Sequence, residues 1–442
     1  MPRATHFNRQ RVVSLICLIF AGEMIFSLPF HVARFFRPTL LDVFQLSNAR
    51  LGDVFAVYGV TAMLCYFPGG ALADRYPARH LIAGSLLATA LGGVYLATFP
   101  AAFGLALLYG YWGITTILLF WAALIRATRD WGGEFAQGRA FGLLEGGRGL
   151  AAAAFATAGV VILGNYFMTD RPSLDARAEG LRIVIYFYAA ITGVIGVLCA
   201  RFIPASHATS MRRQKITLID VLEVVRVPAI WLQAFIVVAA YCGYKGLDYY
   251  TLFAHQRLGL SELASANFMA NCAYLRPLAA VAAGFFADRV RASVAVMVAF
   301  ALAGIGYLVL AFAQVQARDV LYANVVITVV AVYGLRGVYF ALLGESGIPA
   351  RNTGTAVGLI SVVGYLPDVF FAPLAGRLLD QGVGQNGFQQ FFLLLTGIMA
   401  VGMLVSCLIN SRRDRRARPG ARRSNSGTIA TTSNAGSCGE GK

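Results

Sequence analysis

The chain has 442 residues, 58% of them hydrophobic and 13% charged, where an average soluble domain has about 25% charged residues. The missing charge is missing in blocks, which excludes a single water-soluble domain and leaves the formal net charge of +16 to the segments between the blocks. The five histidines, at 6, 31, 80, 207 and 255, do not pair at metal-ligand spacing, and no nucleophile turn or phosphate-binding glycine loop occurs, so neither a metal nor a cofactor is expected.

Apolar stretches of about 20 residues predict helices that each cross a hydrocarbon core about 30 Å thick. In chain order they cover 12–33, 51–72, 81–99, 102–125, 140–164, 180–202, 227–253, 263–286, 292–314, 319–343, 353–376 and 389–410, twelve in all. Backbone groups in lipid find no water, so the segments must be helical; a closed barrel would show short alternating strands instead. The first is too long, and lacks the small-residue cleavage site, for a removed signal peptide. Pairs such as Gly92-Gly93 and Gly146-Gly147 let neighbouring helices approach closely.

These spans divide the chain into a cytoplasmic N-terminal tail (1–11), a six-helix bundle (12–205), a linker (206–226), a second bundle (227–411) and a disordered basic tail (412–442). The linker carries Met211-Arg-Arg-Gln-Lys215 and an amphipathic stretch, 216–225, which reads as a short interfacial helix on the cytoplasmic side. Placing both termini in the cytoplasm puts most Lys and Arg on that side. The positive charge therefore reads as orientation and contact with anionic lipid. Nucleic acid is not an expected partner, because the tail has no aromatic side chains for stacking. The seven cysteines suggest no metal site or disulfide framework.

Three motifs recur in the same order. Gly70-x-x-Ala-Asp74-Arg75 returns 214 residues later as Gly284-x-x-Ala-Asp288-Arg289. Tyr109-Gly110-x-x-Gly113 returns as Tyr333-Gly334-x-x-Gly337, and Gly138-x-Ala140-x-Gly142-Leu143 as Gly354-x-Ala356-x-Gly358-Leu359. A duplicated membrane bundle of this kind is the sequence sign of a secondary transporter.

Gly70-Ala-Leu-Ala-Asp74-Arg75-Tyr-Pro-Ala-Arg79 resembles the loop motif between helices two and three of the major facilitator superfamily, whose weaker second copy lies between helices eight and nine. It departs from the family pattern at Pro77 and Ala78, where Gly and Arg are usual. The resemblance covers about residues 11–411. Gln137 to Gly149, and Gly344-Glu345-x-x-Ile348-Pro349 with Thr353 to Gly358 and Pro367-Asp368, are similar to a narrower bacterial group of facilitators. That group is distantly similar to organophosphate and sugar-phosphate antiporters. The resemblance implies an all-α integral membrane fold of twelve helices in two pseudo-symmetric six-helix bundles. It implies a monomer in the bacterial inner membrane, both termini cytoplasmic, moving a small-molecule substrate by alternating access.

The resemblance also assigns gating roles. Asp74 is expected to face the N-terminus of helix eleven, Arg351 to Gly354, where a carboxylate gains about 0.3–1 kcal/mol from the helix dipole. Asp288 is expected to face the start of helix five near Gln137 and Gly138. Gly70, Arg75, Arg79, Gly284 and Arg289 complete the two turns. The alternative is a positive-inside turn without a gating role.

Ionisable residues deep in a membrane helix cost at least ~2.5 kcal/mol and are functional candidates by default. Glu23, Arg148, Arg276 and Asp368 fall near the middle of helices one, five, eight and eleven, and Glu145 one turn from Arg148. In the family fold helices one, four, seven and ten line the central cavity, and two, five, eight and eleven bracket it. Arg148 and Arg276 would then converge on a carboxylate, sulfonate or phosphate with bidentate geometry. The alternative is internal pairing, such as Glu145 with Arg148 at i,i+3. Glu23, Asp368 and Glu145 are candidates for proton coupling, with salt bridges to the arginines as the alternative. Tyr241, Tyr244, Trp112 and Tyr365 are candidates to touch substrate, with packing as the alternative for most of them; Lys245 with Asp248 reads as a gate or interface pair, and Arg336 as a gate. Arg34 reads as an anion attractor or a lipid-phosphate contact. The expected function is secondary active transport of a small organic anion, coupled to protons or run as exchange. The rival reading is proton-coupled efflux of lipophilic or cationic compounds; a membrane enzyme or a non-transporting sensor stands further off.

Overall fold

The computed structural model describes residues 9–133, 137–167, 169, 172–204, 224–312, 318–345, 353–381 and 386–417. Among them every regular element is helical, as a chain without water for its backbone requires. The first half holds α1 (Arg9–Phe35), α2 (Asn48–Arg75), α3 (Ala78–Leu96), α4 (Ala102–Gly132), α5 (Gln137–Gly164) and α6 (Leu174–Phe202). The second holds α7 (Pro228–Gln256), α8 (Glu262–Ala273 and Leu275–Val290), α9 (Ala292–Phe312), α10 (Arg318–Val338), α11 (Thr353–Gly364 and Pro367–Gln381) and α12 (Asn386–Ala417).

Ten of the described helices are long and apolar enough to span a membrane. The two others that the sequence reading counted are α3 and α8. α3 starts on Arg79 and His80 and is diluted by Gly and Ser, and α8 carries Asn267, Asn271 and Arg276. Both still form full helices inside the bundle. α1 begins at Arg9, and α12 continues past residue 411 to Ala417, so the first part of the expected disordered tail is helical. The linker up to residue 223, and the tail beyond 417, lie outside the described residues.

Local chemistry sets the helix ends. Ser47, Ser173 and Ser261 each accept a hydrogen bond from the backbone N–H three residues on, capping α2, α6 and α8. At the other end of α2, Arg126 of α4 donates to the Ala73 carbonyl, a cation on a helix C-terminus. Large apolar side chains such as Phe67, 86% exposed, and Phe103, 76% exposed, face outward, as expected for a surface solvated by lipid tails.

Within each half the helices pack on their own neighbours: α3 on α6, α2 on α4, α1 on α5 and α6, and correspondingly α9 on α12 and α10. The halves meet where α2 runs along the second segment of α11, and α5 along α8. Glycines set the first seam. A Cβ on Gly52 would come within 2.4 Å of the Ala372 carbonyl, one on Gly59 within 2.3 Å of the Asp368 carbonyl, and one on Gly376 within 2.3 Å of the Asn48 carbonyl. On the side carrying the termini, Gly70, Gly142, Gly284 and Gly358 have open space instead, and Thr353–Gly364 packs within its own half against α7. The described contacts between the halves are therefore tight on the side away from the termini, which is closed.

Gly59→Ala should prise α2 from α11 on the closed side. The measurement is the reactivity of a cysteine placed at the buried Thr251 towards a membrane-impermeant thiol reagent, relative to the native cysteine background. A rise is expected, and unchanged reactivity would contradict this account of the seam.

Candidate functional site

α1 is not a continuous α-helix. Pro29 lacks an N–H and disturbs the ladder, and Ser27–His31 adopts π-helical geometry before the α-helix resumes at Val32–Phe35. The loosened carbonyls find partners. Ser27 Oγ donates to Met24 O at 2.7 Å, and the Tyr109 hydroxyl donates to Pro29 O at 2.8 Å. The distortion brings His31 and Arg34 onto the same central cavity as Glu23. α7 changes course at the equivalent depth, through a 3₁₀ turn at Leu247–Tyr249, which sets Asp248 against Arg34.

The cavity is a cleft between the halves. Its charged wall contains Glu23, Arg34, Arg148, Lys245, Arg336 and Asp368; its rings include Phe26, Phe30, Tyr66, Trp121, Tyr241, Tyr244 and Tyr365. Two ion-pair networks account for nearly all of the charge. In the first, Glu23 accepts from Arg148 Nε at 3.1 Å and from Arg276 Nη1 at 3.1 Å, and lies 3.3 Å from His31 Nε2. Glu145 closes the ring, 2.5 Å from Arg148 Nη1 and 3.4 Å from Arg276 Nη2. Three helices from both halves, α1, α5 and α8, are tied at one point. In the second network, Arg34 Nε meets Asp248 at 2.5 Å, and Lys245 Nζ lies 3.6 Å from Asp248 and 3.1 Å from Asp368. Tyr241 donates to Asp368 at 3.0 Å, and Arg34 Nη1 donates to the Tyr244 hydroxyl at 3.0 Å.

Arg336 stands apart. Its guanidinium lies over the Tyr244 ring, 4.1 Å from the centroid, and Nη1 is buried without a hydrogen-bond partner. Among the described side chains no carboxylate pairs with it. His31 Nδ1 is also buried and unpartnered.

The structure redistributes the roles read from the sequence. Arg148 and Arg276 do come together, but on Glu23 and Glu145, so their forks are occupied by protein carboxylates. Glu23 takes the salt-bridged alternative, whereas Asp368 pairs with Lys245 and with neither of those two arginines. Tyr241, Tyr244 and Tyr365 border the cavity. Trp112 does not, and its expected substrate contact is corrected: its indole N–H donates to Thr89 O of α3 at 3.2 Å, and the side chain is fully buried within the first half. His31, buried at 3% exposure, is not among the residues that the sequence singles out; the signal for it is Pro29 inside an apolar helix, followed by His31 and Arg34. Arg34 is a cavity residue rather than a surface one, and Arg336 lines the cavity.

The motif residues lie at the terminus-side ends of α2 and α8. Asp74, Arg75, Asp288 and Arg289 are exposed there, Arg79 donates to His80, and Gly70 and Gly284 are uncrowded. Their expected partners, Arg351 and Asn352 at the start of helix eleven and the side chain of Gln137, lie outside the described residues.

Comparison with known proteins follows the same outline. A family model described as the Major Facilitator Superfamily matches residues 14–372. The chain is 26% identical over 411 residues to the inner membrane protein YqcE of Escherichia coli K12, covering 90% of this chain and 94% of that one. It is likewise 26% identical to the E. coli inner membrane protein YihN, over 91% and 96% of the two chains. Among solved structures, a bacterial homolog of the human lysosomal transporter Spinster, inward-facing and unoccupied, superposes with a TM-score of 0.72 at 15% identity, over 94% of this chain and all of the other. The nucleoside transporter NupG gives 0.71 at 12% identity, over 91% and 99%.

Glu23→Gln would leave two buried guanidiniums facing each other without their central carboxylate. A loss of about 3–5 kcal/mol is expected from breaking such a buried pair, whereas Glu145→Gln, at a side chain 49% exposed, should cost about 1 kcal/mol or less. Unfolding in detergent measures both; equal effects would contradict the central place of Glu23.

Proposed function

Because this chain belongs to the Major Facilitator Superfamily and is a secondary transporter, we propose that its solute is a small organic anion whose charge is held by Arg336. The observation that carries this reading is a charge imbalance. Arg34, Arg148, Lys245, Arg276 and Arg336 face Glu23, Glu145, Asp248 and Asp368, so one positive charge is left among the described residues. Burying an unpaired guanidinium is costly, and Arg336 with its open Nη1 is where a carboxylate, sulfonate or phosphate oxygen would relieve that cost. The fork geometry of arginine suits such groups. The unpartnered Nδ1 of His31 offers a second polar contact, and the rings of Tyr241, Tyr244, Tyr365 and Trp121 suit a hydroxylated or partly apolar carbon skeleton.

The two bundles, 12–205 and 227–411, rock about this cavity in the bacterial inner membrane, as a monomer with both termini and the 206–226 linker cytoplasmic. The excess of Lys and Arg on the terminus side supports that orientation, which sets the sealed seam of α2 and α11 on the outer side. Asp74 and Asp288 latch the cytoplasmic side when it closes. Asp368 is more open to the cavity than Glu23, with side-chain exposures of 13% and 3%, and is the better-positioned group for proton coupling; exchange of one anion for another needs no such step.

A thermal-shift screen of the solubilised protein tests the reading. Size-matched series should be compared in which a carboxylate, sulfonate or phosphate is replaced by a neutral or cationic group. Anions should raise the midpoint, because a ligand stabilises the state that it binds, and Arg336→Gln should abolish the shift. Stabilisation by the cationic members would contradict it and favour efflux of cationic compounds.

A further inference from the structure

The closed side carries a second arginine without a carboxylate partner among the described residues. Arg37, in the short helix Arg37–Phe44 between α1 and α2, is fully buried. Its Nε donates to Asn48 Oδ1 at 3.0 Å, and its plane lies over the Tyr249 ring at 4.0 Å. Nη1 and Nη2 have no partner. Asn48 is the first residue of α2, so this guanidinium is fixed beside the N-terminus of that helix.

That N-terminus is itself occupied. Asp380, at the end of α11 in the opposite half, accepts from the backbone N–H of Ala49 at 2.7 Å and of Asn48 at 3.1 Å, and from Asn48 Nδ2 at 3.2 Å. Arg50 N is taken by Ser47 Oγ, and Leu51 N by Ser47 O. The free N–H groups of the first turn are thus satisfied across the seam by a carboxylate that leaves with α11 when the seam opens.

We propose that Arg37 and the first turn of α2 form an anion-docking site at the outer mouth of the pathway, and that Asp380 occupies the helix end of this site whenever the mouth is closed. Both halves of the site, the guanidinium fork and the helix N-terminus, belong to the first bundle and move together. On opening the first turn loses Asp380 and frees its two backbone N–H groups, and beside it stand Nη1 and Nη2 of Arg37, which have no partner even in the closed state. A helix N-terminus favours negative charge, and a fork of N–H donors matches a carboxylate, sulfonate or phosphate. An arriving anion competes with Asp380, so binding at the mouth favours its opening. The closed mouth keeps Arg37 buried with unsatisfied donors, which makes the closed state easier to leave. The site rests on the reading of the solute as an anion, and supplies the outer station that such a solute would meet first.

The test uses the full chain in nanodiscs, with spin labels at Asp175 and Gln256, both exposed on the outer side and one on each half. Inorganic sulfate at constant ionic strength is the probe. In the otherwise unmutated protein, sulfate should raise the open population about fivefold, the lower end of ordinary coupling between sites. Asp380→Asn should shift the population towards open without sulfate, and Arg37→Gln should remove the sulfate response while keeping a side chain able to bond Asn48. Arg37→Lys, which keeps the charge and loses the fork, should weaken the response and decides the matter if Arg37→Gln does not fold. A normal response in both Arg37 variants, or an Asp380→Asn protein as closed as its parent, would overturn the proposal. The same labels on Arg336→Gln separate the two readings. A response kept there but lost in Arg37→Gln places the ion at the mouth, even if no organic anion binds the cavity. A response lost only in Arg336→Gln assigns the ion to the cavity and overturns the docking site.

Discussion

Glu23 is the carboxylate on which the rest of the centre depends. Two guanidiniums from opposite halves, Arg148 on α5 and Arg276 on α8, converge on its two oxygens. Neither arginine could sit in a buried interface alone, since each isolated buried ion costs several kcal/mol. With Glu23 between them and Glu145 beside them, the cluster is neutral, and its donors are directed at protein oxygens. This tie between the halves lies close to their contact line, where a rocking motion separates groups least. It holds the cavity together while leaving the far and near ends free to exchange contacts.

The pseudo-twofold relation gives the second network its logic. Arg34 and Asp248 are 214 residues apart, the same separation as the repeated Asp-Arg turns. Positions related by the axis can meet on it, and there the two halves have placed opposite charges. The distortions in α1 at Pro29 and in α7 at Leu247–Tyr249 are what bring these two side chains to the axis. Above them the closed side is sealed by small residues and by polar contacts between halves, such as Thr39 with Glu262 at 2.7 Å and Arg377 with Asp53 at 2.9 Å. These are contacts that can be broken and hydrated, unlike an apolar core of the same area.

The sequence disclosed the helices because lipid removes every alternative for the backbone, and it disclosed the duplication because motifs recur at nearly constant offset. Rise per residue alone puts Glu23, Arg148, Arg276 and Asp368 near the middle of their helices, and the structure gathers them about the central cleft. Partners do not follow from depth. Whether Arg148 meets a substrate or Glu23 depends on how α1, α5 and α8 are rotated, and one sequence carries no record of that. Helix irregularities caused the other departures. Counting along an ideal α1 puts Arg34 at the outer surface, while the π-helical turn at Ser27–His31 brings it and His31 into the cavity. Trp112 precedes a π-helical stretch in α4, Ile114–Trp121, and its indole turns to α3, whereas Trp121 reaches the cavity. Asp380 belongs to no recognisable motif; only the meeting of two helix ends from different halves gives it a role.

Among the described residues the cavity's cations divide into those that the protein has already satisfied and Arg336, which it has not. The most direct measurement is an experimental structure with an organic anion bound, determined in the same conformation, with the seam between α2 and α11 closed. The anionic group is expected within hydrogen-bond distance of Arg336, with the Glu23 contacts to Arg148 and Arg276 intact. An anion seated between Arg148 and Arg276, with Glu23 displaced, would contradict it.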